Sequence, residues 1–331
     1  MGAGCAGLAS VIERAEQVAQ PLAVSYAVTR RCDRHCTICY LPPGETVELD
    51  TAEAVEAVQR IAAAGALFLA VTGGEPCLRA DLLDILRAAR GAGLAVELLT
   101  HGGHVDAGLA QALAGLNLLA AHVTVFATAP GIHDRLCGQP GGLTATLQGI
   151  DHLLAAGVPT VLCMPLLKAN FAERQAVHAL AARLGAGFVS DPTISPRDDG
   201  DLAPLALQLD DTQLAEFLAE QPAPVPQDDQ AALCAAGHRT LHVDPDGTVR
   251  PCIQDPRAIG SLRSDDLRAL WESHPTLLEL RSRRRRDLRA VCRDCTAVGI
   301  CGRCPALALM VNGDDLGPWE WACRRAALLE A

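Results

Sequence analysis

The sequence predicts an α/β protein: a partial (β/α)6, TIM-like barrel followed by a small cysteine-rich domain with a β-hairpin. Three observations lead there. Short apolar runs alternate with amphipathic stretches six times between residues 22 and 192. The rhythm then stops at the proline- and acid-rich segment EQPAPVPQDDQ (220–230). Beyond it come seven cysteines, from Cys234 to Cys323, among short elements only. Strands that alternate with helices build a parallel sheet, because a parallel connection needs a crossover long enough to hold a helix. Right-handed crossovers curl such a sheet towards a barrel.

Taken in order, LAVSYAVT (22–29) reads as the first buried strand. TAEAVEAVQRIAAAG (51–65) reads as a helix, with Asp50 as N-cap and Gly65 as its stop. LFLAVTGG (67–74) and RADLLDILRAARGAG (79–93) are the second pair, and LAVELLT (94–100) precedes a helix near 106–115. HVTVFAT (122–128) precedes LTATLQGIDHLLAAG (143–157), VPTVLCMPL (158–166) precedes NFAERQAVHALAARLG (170–185), and GFVSDP (187–192) is the sixth strand. LHVDPDGTVRPC reads as a hairpin turning at Asp246–Gly247. The expected organisation is an N-terminal helical extension over 1–20, a core domain over 21–200, a linker region over 201–230 and a cysteine-rich domain over 231–331.

Composition bounds the function. In 331 residues, hydrophobic types make up 50% and aromatics 3%, so the core is built from Ala, Leu and Val. A net charge of −11 argues against a general nucleic-acid binder, which needs a basic surface to neutralise phosphate. No apolar run is long enough to span a membrane, and the first residues lack the basic start and apolar stretch of a signal peptide. The expectation is a cytoplasmic protein with no membrane or nucleic-acid partner. Its 14 cysteines then suit metal ligation better than disulfides. The arginine run RSRRRRDLRA (281–290) reads as a solvated helix face, the alternative being contact with an acidic partner.

Cys32, Cys36 and Cys39, in RRCDRHCTICYLPP, follow the first strand directly. Loops at strand C-termini form the active face of a barrel. Thiolates suit zinc and iron–sulfur clusters alike. A structural site would want a fourth protein ligand, and His35 lies between two of the cysteines. Three ligands from one loop instead leave a fourth iron open. After the second strand comes TGGEP, residues 72–76, whose glycines let backbone approach a ligand and whose Glu75 offers an acceptor to a cation.

Together these motifs resemble the radical S-adenosylmethionine (radical SAM) superfamily, over about residues 20 to 325. The resemblance implies that Cys32, Cys36 and Cys39 bind three irons of a 4Fe–4S cluster. The methionyl group of S-adenosylmethionine would chelate the fourth, against Gly73, Gly74, Glu75 and Pro76. One-electron cleavage of the cofactor would then give a 5′-deoxyadenosyl radical. Ile38 departs from the aromatic that many relatives carry before the third cysteine. Thr124 stands where relatives often place a hydroxyl near the ribose, the alternative being a threonine satisfied by backbone. Lys168 and Asn170 read as an ordinary loop and helix cap, or as cofactor contacts. Cys5, Cys77, Cys137 and Cys163 read as small buried hydrophobes.

The C-terminal cysteines, taken alone, could equally describe paired zinc sites. With the first motif present they resemble a SPASM domain, which carries auxiliary 4Fe–4S clusters. The resemblance implies that Cys234, Cys252 and Cys304 bind one auxiliary cluster, whose fourth position is open or held by His238. Cys292, Cys295, Cys301 and Cys323 would bind the other. Two residues separate Cys301 from Cys304 where three are usual.

The implied function is maturation of a ribosomally made peptide, by thioether or carbon–carbon crosslinking, decarboxylation or epimerisation. DRLCGQPGG, SPRDDGD and CGRCPALALMVNGD look like relatives of that kind. The implied partners are the precursor peptide, a reductant such as flavodoxin or ferredoxin, and a separate leader-recognition protein, unless this chain binds the leader itself. The alternatives are radical SAM modification of a small molecule or tetrapyrrole, and a non-catalytic iron–sulfur carrier or zinc module. No acid, base or hydrogen donor is assigned from the sequence.

Overall fold

The sheet is the frame on which every candidate site hangs. In this computed structural model, residues 20–42, 44 and 47–330 are described; the expected N-terminal helical extension, together with Cys5, lies outside them. The first six strands are β1 (Ala23–Ala27), β2 (Phe68–Thr72), β3 (Ala95–Thr100), β4 (Ala120–Thr124), β5 (Thr160–Pro165) and β6 (Gly187–Asp191). They pair in parallel in sequence order. Their connections carry helices α1 (Thr51–Ala63), α2 (Leu82–Gly91), α3 (Ala107–Ala114), α4 (Pro130–Cys137), α5 (Gly142–Ala155) and α6 (Arg174–Leu184).

Asp50 caps α1 in a reciprocal box with Glu53, as its position predicts. The apolar stripes of the helices bury against alternate strand residues, including Val24, Leu69, Val96, Val123 and Leu162. The opposite strand face carries Ser25, Ala70, Glu97, His122, Thr124 and Cys163, all only part-buried. These side chains are too small or too polar to fill the concave side, so it stays open, unlike the packed interior of a closed barrel.

Three features differ from the sequence expectation. The fourth strand starts two residues early, at Ala120, and Phe126 belongs to the loop after it. Helix α4 lies between β4 and α5, where only one helix is expected; its short GIHDRLC turn ends at Gly138, with φ 68°. Within the expected linker, α7 (Asp211–Ala219) is a capped helix that buries Leu214, Phe217 and Leu218. The proline-rich stretch after it has no regular element.

The hairpin forms as predicted, from β7 (Thr240–Val243) and β8 (Thr248–Arg250), and Gly247 turns it at φ 90°. It does not stand apart. Strand β7 pairs in parallel with β1, and with β9 (Gly260–Ser261) it extends one nine-stranded sheet in the order β6-β5-β4-β3-β2-β1-β7-β8-β9. Leu241, Trp271, Leu307 and Trp321 belong to the same buried cluster as the barrel residues. The remaining helices are α8 (Leu267–Ser273), α9 (Pro275–Ser282), α10 (Ala290–Arg293), α11 (Pro305–Asn312) and α12 (Glu320–Glu330).

Among the described residues no helix is long and apolar enough to cross a membrane.

Candidate active site and cysteine centres

Cys32, Cys36 and Cys39 line a cavity of about 540 Å³ at the C-terminal ends of the strands, together with Gly73, Gly74 and Thr124. The loop is held from two sides. Arg31 O accepts from Glu75 N at 2.8 Å, and Thr29 O accepts from Gly74 N at 2.7 Å. A Cβ on Gly73 would lie 2.3 Å from Thr29 O, and one on Gly74 would lie 2.4 Å from Arg31 O. The two glycines are therefore required by the approach of the cysteine loop's own backbone. On the other side, His35 N and Thr37 N donate to Cys137 O and Leu136 O, carbonyls that the end of α4 leaves without helical partners. Gly138 is needed there as well, since a Cβ would meet His35 O at 2.5 Å.

Glu75 and Pro76 lie behind this wall. Glu75 is fully buried; its carboxylate accepts from Cys77 N (3.0 Å), Thr100 Oγ1 (2.7 Å) and His101 N (2.8 Å). It locks the turn after β2 to the end of β3 rather than presenting a free acceptor. Asn170 is also fully buried: it donates to Phe126 O and Pro165 O and accepts from Leu167 N, joining the exits of β4 and β5. Lys168 is exposed.

Sequence reasoning missed several residues of this cavity. His101 lies on its wall, Nε2 at 2.9 Å from Asp33 Oδ1, and burial pushes it below its ordinary pKa. Arg30 and Arg197 also line the cavity, and the Nε–H of each is buried without a hydrogen-bond partner. The HGG that follows β3 was the only sequence signal for His101. Arg197 lies in SPRDDGD, a stretch that resembles relatives but gives no hint that it reaches this cavity.

The C-terminal cysteines separate into two sets. Cys292, Cys295, Cys301 and Cys323 line a cavity of about 140 Å³ with Trp319 and Arg303. Cys234, Cys252 and Cys304 lie close enough to act on each other's charge, and buried Asp255 acts on all three. Burial pushes the thiols of Cys234 and Cys252 up to about 11 and about 12, and that of Cys36 up to about 12. Thiols so placed ionise only against a strong local positive charge, as a metal provides.

A tetrahedral zinc with bonds near 2.3 Å draws its thiolates to roughly 3.8 Å apart. Among the described residues, the one group of three or more ligand types drawn within 4.8 Å is Cys32, Asp33 and His101. Among the described residues no set of three cysteines is drawn that close, and an all-thiolate donor set is the one that iron–sulfur clusters use.

The arginine run is a solvated face only in part: Arg286 and Arg289 are exposed, but Arg281 and Arg285 are half-buried. Arg285 donates to Val298 O and, at 3.2 Å, to Cys301 O. Arg281 stacks 4.3 Å from the Trp271 ring centre and donates to Gly237 O and Trp271 O. Arg283 pairs with Asp315 and Glu279, and Arg289 pairs with Asp314. In a segment with few regular elements, guanidinium forks satisfy loop carbonyls that no ladder reaches.

The Radical SAM superfamily model matches residues 26–181, and the SPASM iron–sulfur cluster-binding domain model matches residues 234–296. A PqqA peptide cyclase of Ruegeria pomeroyi is 30% identical, over 95% of this chain and 92% of that protein. The chain belongs to the radical SAM superfamily. It is an enzyme, and its cofactors are S-adenosylmethionine and 4Fe–4S clusters. An AdoMet-dependent heme synthase of Methanosarcina barkeri is 26% identical, over 89% of this chain and 94% of that protein. Among solved structures, Streptococcus suis SuiB bound to its precursor peptide SuiA superposes with a TM-score of 0.75 at 14% identity, over 95% of this chain and 78% of that chain. At that identity the likeness concerns the fold.

Proposed function

We propose that this enzyme crosslinks residues of a ribosomally made precursor peptide. When bound in the barrel, S-adenosylmethionine and its cluster supply a carbon radical that removes a hydrogen atom. The residues of this chain do the rest. Cys32, Cys36 and Cys39 would hold the cluster, and Thr124, on the same cavity, would meet the nucleoside. Gly73 and Gly74 keep the wall thin where the methionyl group lies. Arg30 and Arg197, which also line the cavity, would supply positive charge to its carboxylate.

The observation that carries the substrate reading is a second cavity, of about 230 Å³, between the ends of β5 and β6. Tyr40, the residue after the third cysteine, borders both cavities. A substrate there lies beside the cofactor. Strand β6 is the sheet edge, with Val189 and Asp191 exposed, so an extended chain has open access. The relative that acts on a peptide, named above, supports the same reading.

Cys292, Cys295, Cys301 and Cys323 are assigned to one auxiliary cluster, and Cys234, Cys252 and Cys304 to the other. The fourth position of the second is open or held by His238. Clusters held there would offer an acceptor for the electron released as the new bond forms. The enzyme works in the reducing cytoplasm, with a flavodoxin- or ferredoxin-type reductant and a separate leader-recognition protein.

The test is anaerobic incubation of the reconstituted enzyme with peptides encoded beside its gene. A product lighter by two hydrogens supports crosslinking. Unchanged mass with deuterium uptake from solvent means epimerisation instead. Turnover of a tetrapyrrole, with no change in any peptide, overturns the peptide reading in favour of the heme-type relatives.

A further inference from the structure

The concave face of the sheet carries an array that the cofactor site does not use. Glu97 on β3, His122 on β4 and Cys163 on β5 all point to that face. Their strands step in register: His122 is level with Leu99 on one side and Val161 on the other. Each of the three residues thus sits two positions further along than its neighbour, a diagonal that long side chains span. Cys163 Sγ is 3.4 Å from His122 Nδ1, and His122 Nε2 is 3.7 Å from Glu97 Oε1. The ends of the row open on different spaces. Cys163 lines the substrate cavity beside Ile38 and Tyr40. Glu97 lines a lower cavity of about 360 Å³ that also contains Cys252. Cys163 is also the register partner of Thr124, on the cofactor wall.

We propose that Cys163, His122 and Glu97 form a charge-paired row in which Cys163 is a catalytic residue, taking from the peptide the proton released as the crosslink closes. His122 and Glu97 act through it as positioning residues. The neighbours Cys163 and Glu97 raise His122 to about 10, which keeps the imidazole cationic, the counter-charge to the thiolate that takes the proton.

The step balances. The peptide loses two hydrogens for each bond formed. One leaves as a hydrogen atom to the cofactor-derived radical. The other leaves as a proton to Cys163 Sγ, and one electron passes to an auxiliary iron–sulfur cluster. His122 keeps both ring protons and stays the counter-charge to the Cys163 sulfur, and the new thiol proton leaves to water through the substrate cavity that Cys163 lines.

The identity of the peptide step rests on the function proposed above, but the Cys–His–Glu pairing does not. Two readouts separate them. The first needs no peptide: the cluster-loaded enzyme is labelled with iodoacetamide, and each cysteine is quantified by peptide mass spectrometry. Cys163 is expected to react at least ~10-fold faster than Cys137, and His122→Gln or Glu97→Gln is expected to remove most of that advantage. Equal reactivity in wild type and His122→Gln overturns the pairing. The second readout uses the peptide. Cys163→Ser, a near-isostere whose folding is checked by circular dichroism, is expected to keep forming 5′-deoxyadenosine while crosslinked product falls roughly 10²-fold or more. Product at the wild-type rate overturns the catalytic role. So does solvent deuterium on product carbon that disappears in Cys163→Ser, because the thiol would then be giving a hydrogen atom rather than taking a proton. If neither peptide nor variant forms any product while the fast labelling persists, the substrate reading has failed and the pairing has not.

Discussion

The two cysteine-rich regions of the molecule are held in opposite ways. At the barrel mouth, three thiols come from one loop, and that loop is fixed by backbone: Gly74 N and Glu75 N donate to it, and the end of α4 receives its amides. The cavity beside it is large, about 540 Å³. In the outer C-terminal site, four thiols come from α10, the loops on either side of residues 296–300, and α12. They line a space of only about 140 Å³, and arginine side chains hold the surrounding carbonyls. A site with three ligands beside a large cavity leaves room for a reacting molecule. A site with four ligands around a small one does not, and is suited to passing electrons. What distinguishes the two sites is the free space beside the thiols, about 540 Å³ against about 140 Å³, not the ligand type.

The largest expected effect comes from breaking the open set. Cys36→Ala should abolish 5′-deoxyadenosine formation, whereas Cys323→Ala should leave uncoupled cofactor cleavage measurable while stopping crosslinked product. Quantifying iron and both products in each variant checks this. Equal loss of cofactor cleavage in both would erase the distinction.

Next is the backbone that holds the mouth. Gly74→Ala places a Cβ against two carbonyls, at 2.4 Å from Arg31 O and 2.6 Å from Arg30 O. The expected cost is about 3 kcal/mol by thermal or denaturant unfolding, with cofactor affinity lost in calorimetry. The corresponding test of the C-terminal region is Arg285→Met, which removes two bonds to loop carbonyls. It should cost about 1–3 kcal/mol and lower auxiliary iron content more than it lowers cofactor binding.

The smallest effect concerns acid. Arg79 clamps the chain entering the cysteine loop, donating to Val28 O and Leu49 O, and pairs with Asp81 at 2.6 Å. The Arg79 hydrogen bonds hold Asp81 at about 2, below its ordinary 3.8. A depressed carboxyl stabilises the fold above its ordinary pKa, and that contribution is lost as pH falls from near 4 towards 2. Asp81→Asn should flatten the part of the acid-unfolding curve due to the barrel mouth. The C-terminal region responds through its own carboxyls, such as Asp314, which Arg289 holds below its ordinary value, so Asp81→Asn should change the barrel-mouth response and leave the C-terminal one as it is. Amide exchange measured region by region across that range separates the two.

Much of this was legible because it is local. The spacing of Cys32, Cys36 and Cys39 describes one loop, and Gly73–Gly74 describes one turn. Asp50 caps a helix whose apolar stripe is written beside it, and Asp246–Gly247 turns a hairpin of adjacent strands. Helix α4 escaped because eight residues of mixed polarity give little periodicity, and α7 because its neighbours are rich in proline and acid. Arg281 and Arg285 misled because charge alone does not say whether carbonyls lie within reach. Cys163 read as a small hydrophobe because its partner, His122, is 41 residues away.

The order of residues along the chain therefore determined the alternation of strand and helix, the loop that presents three thiols, and the family to which the enzyme belongs. Tertiary structure alone decided that β7 joins β1 in one sheet, that Glu75 faces inward to bind β3, and that Glu97, His122 and Cys163 meet on the concave face. The reason is physical. Side-chain spacing within one element is set by the geometry of a helix or strand, whereas contact between elements is set by pairing register and packing, which sum over residues far apart in sequence.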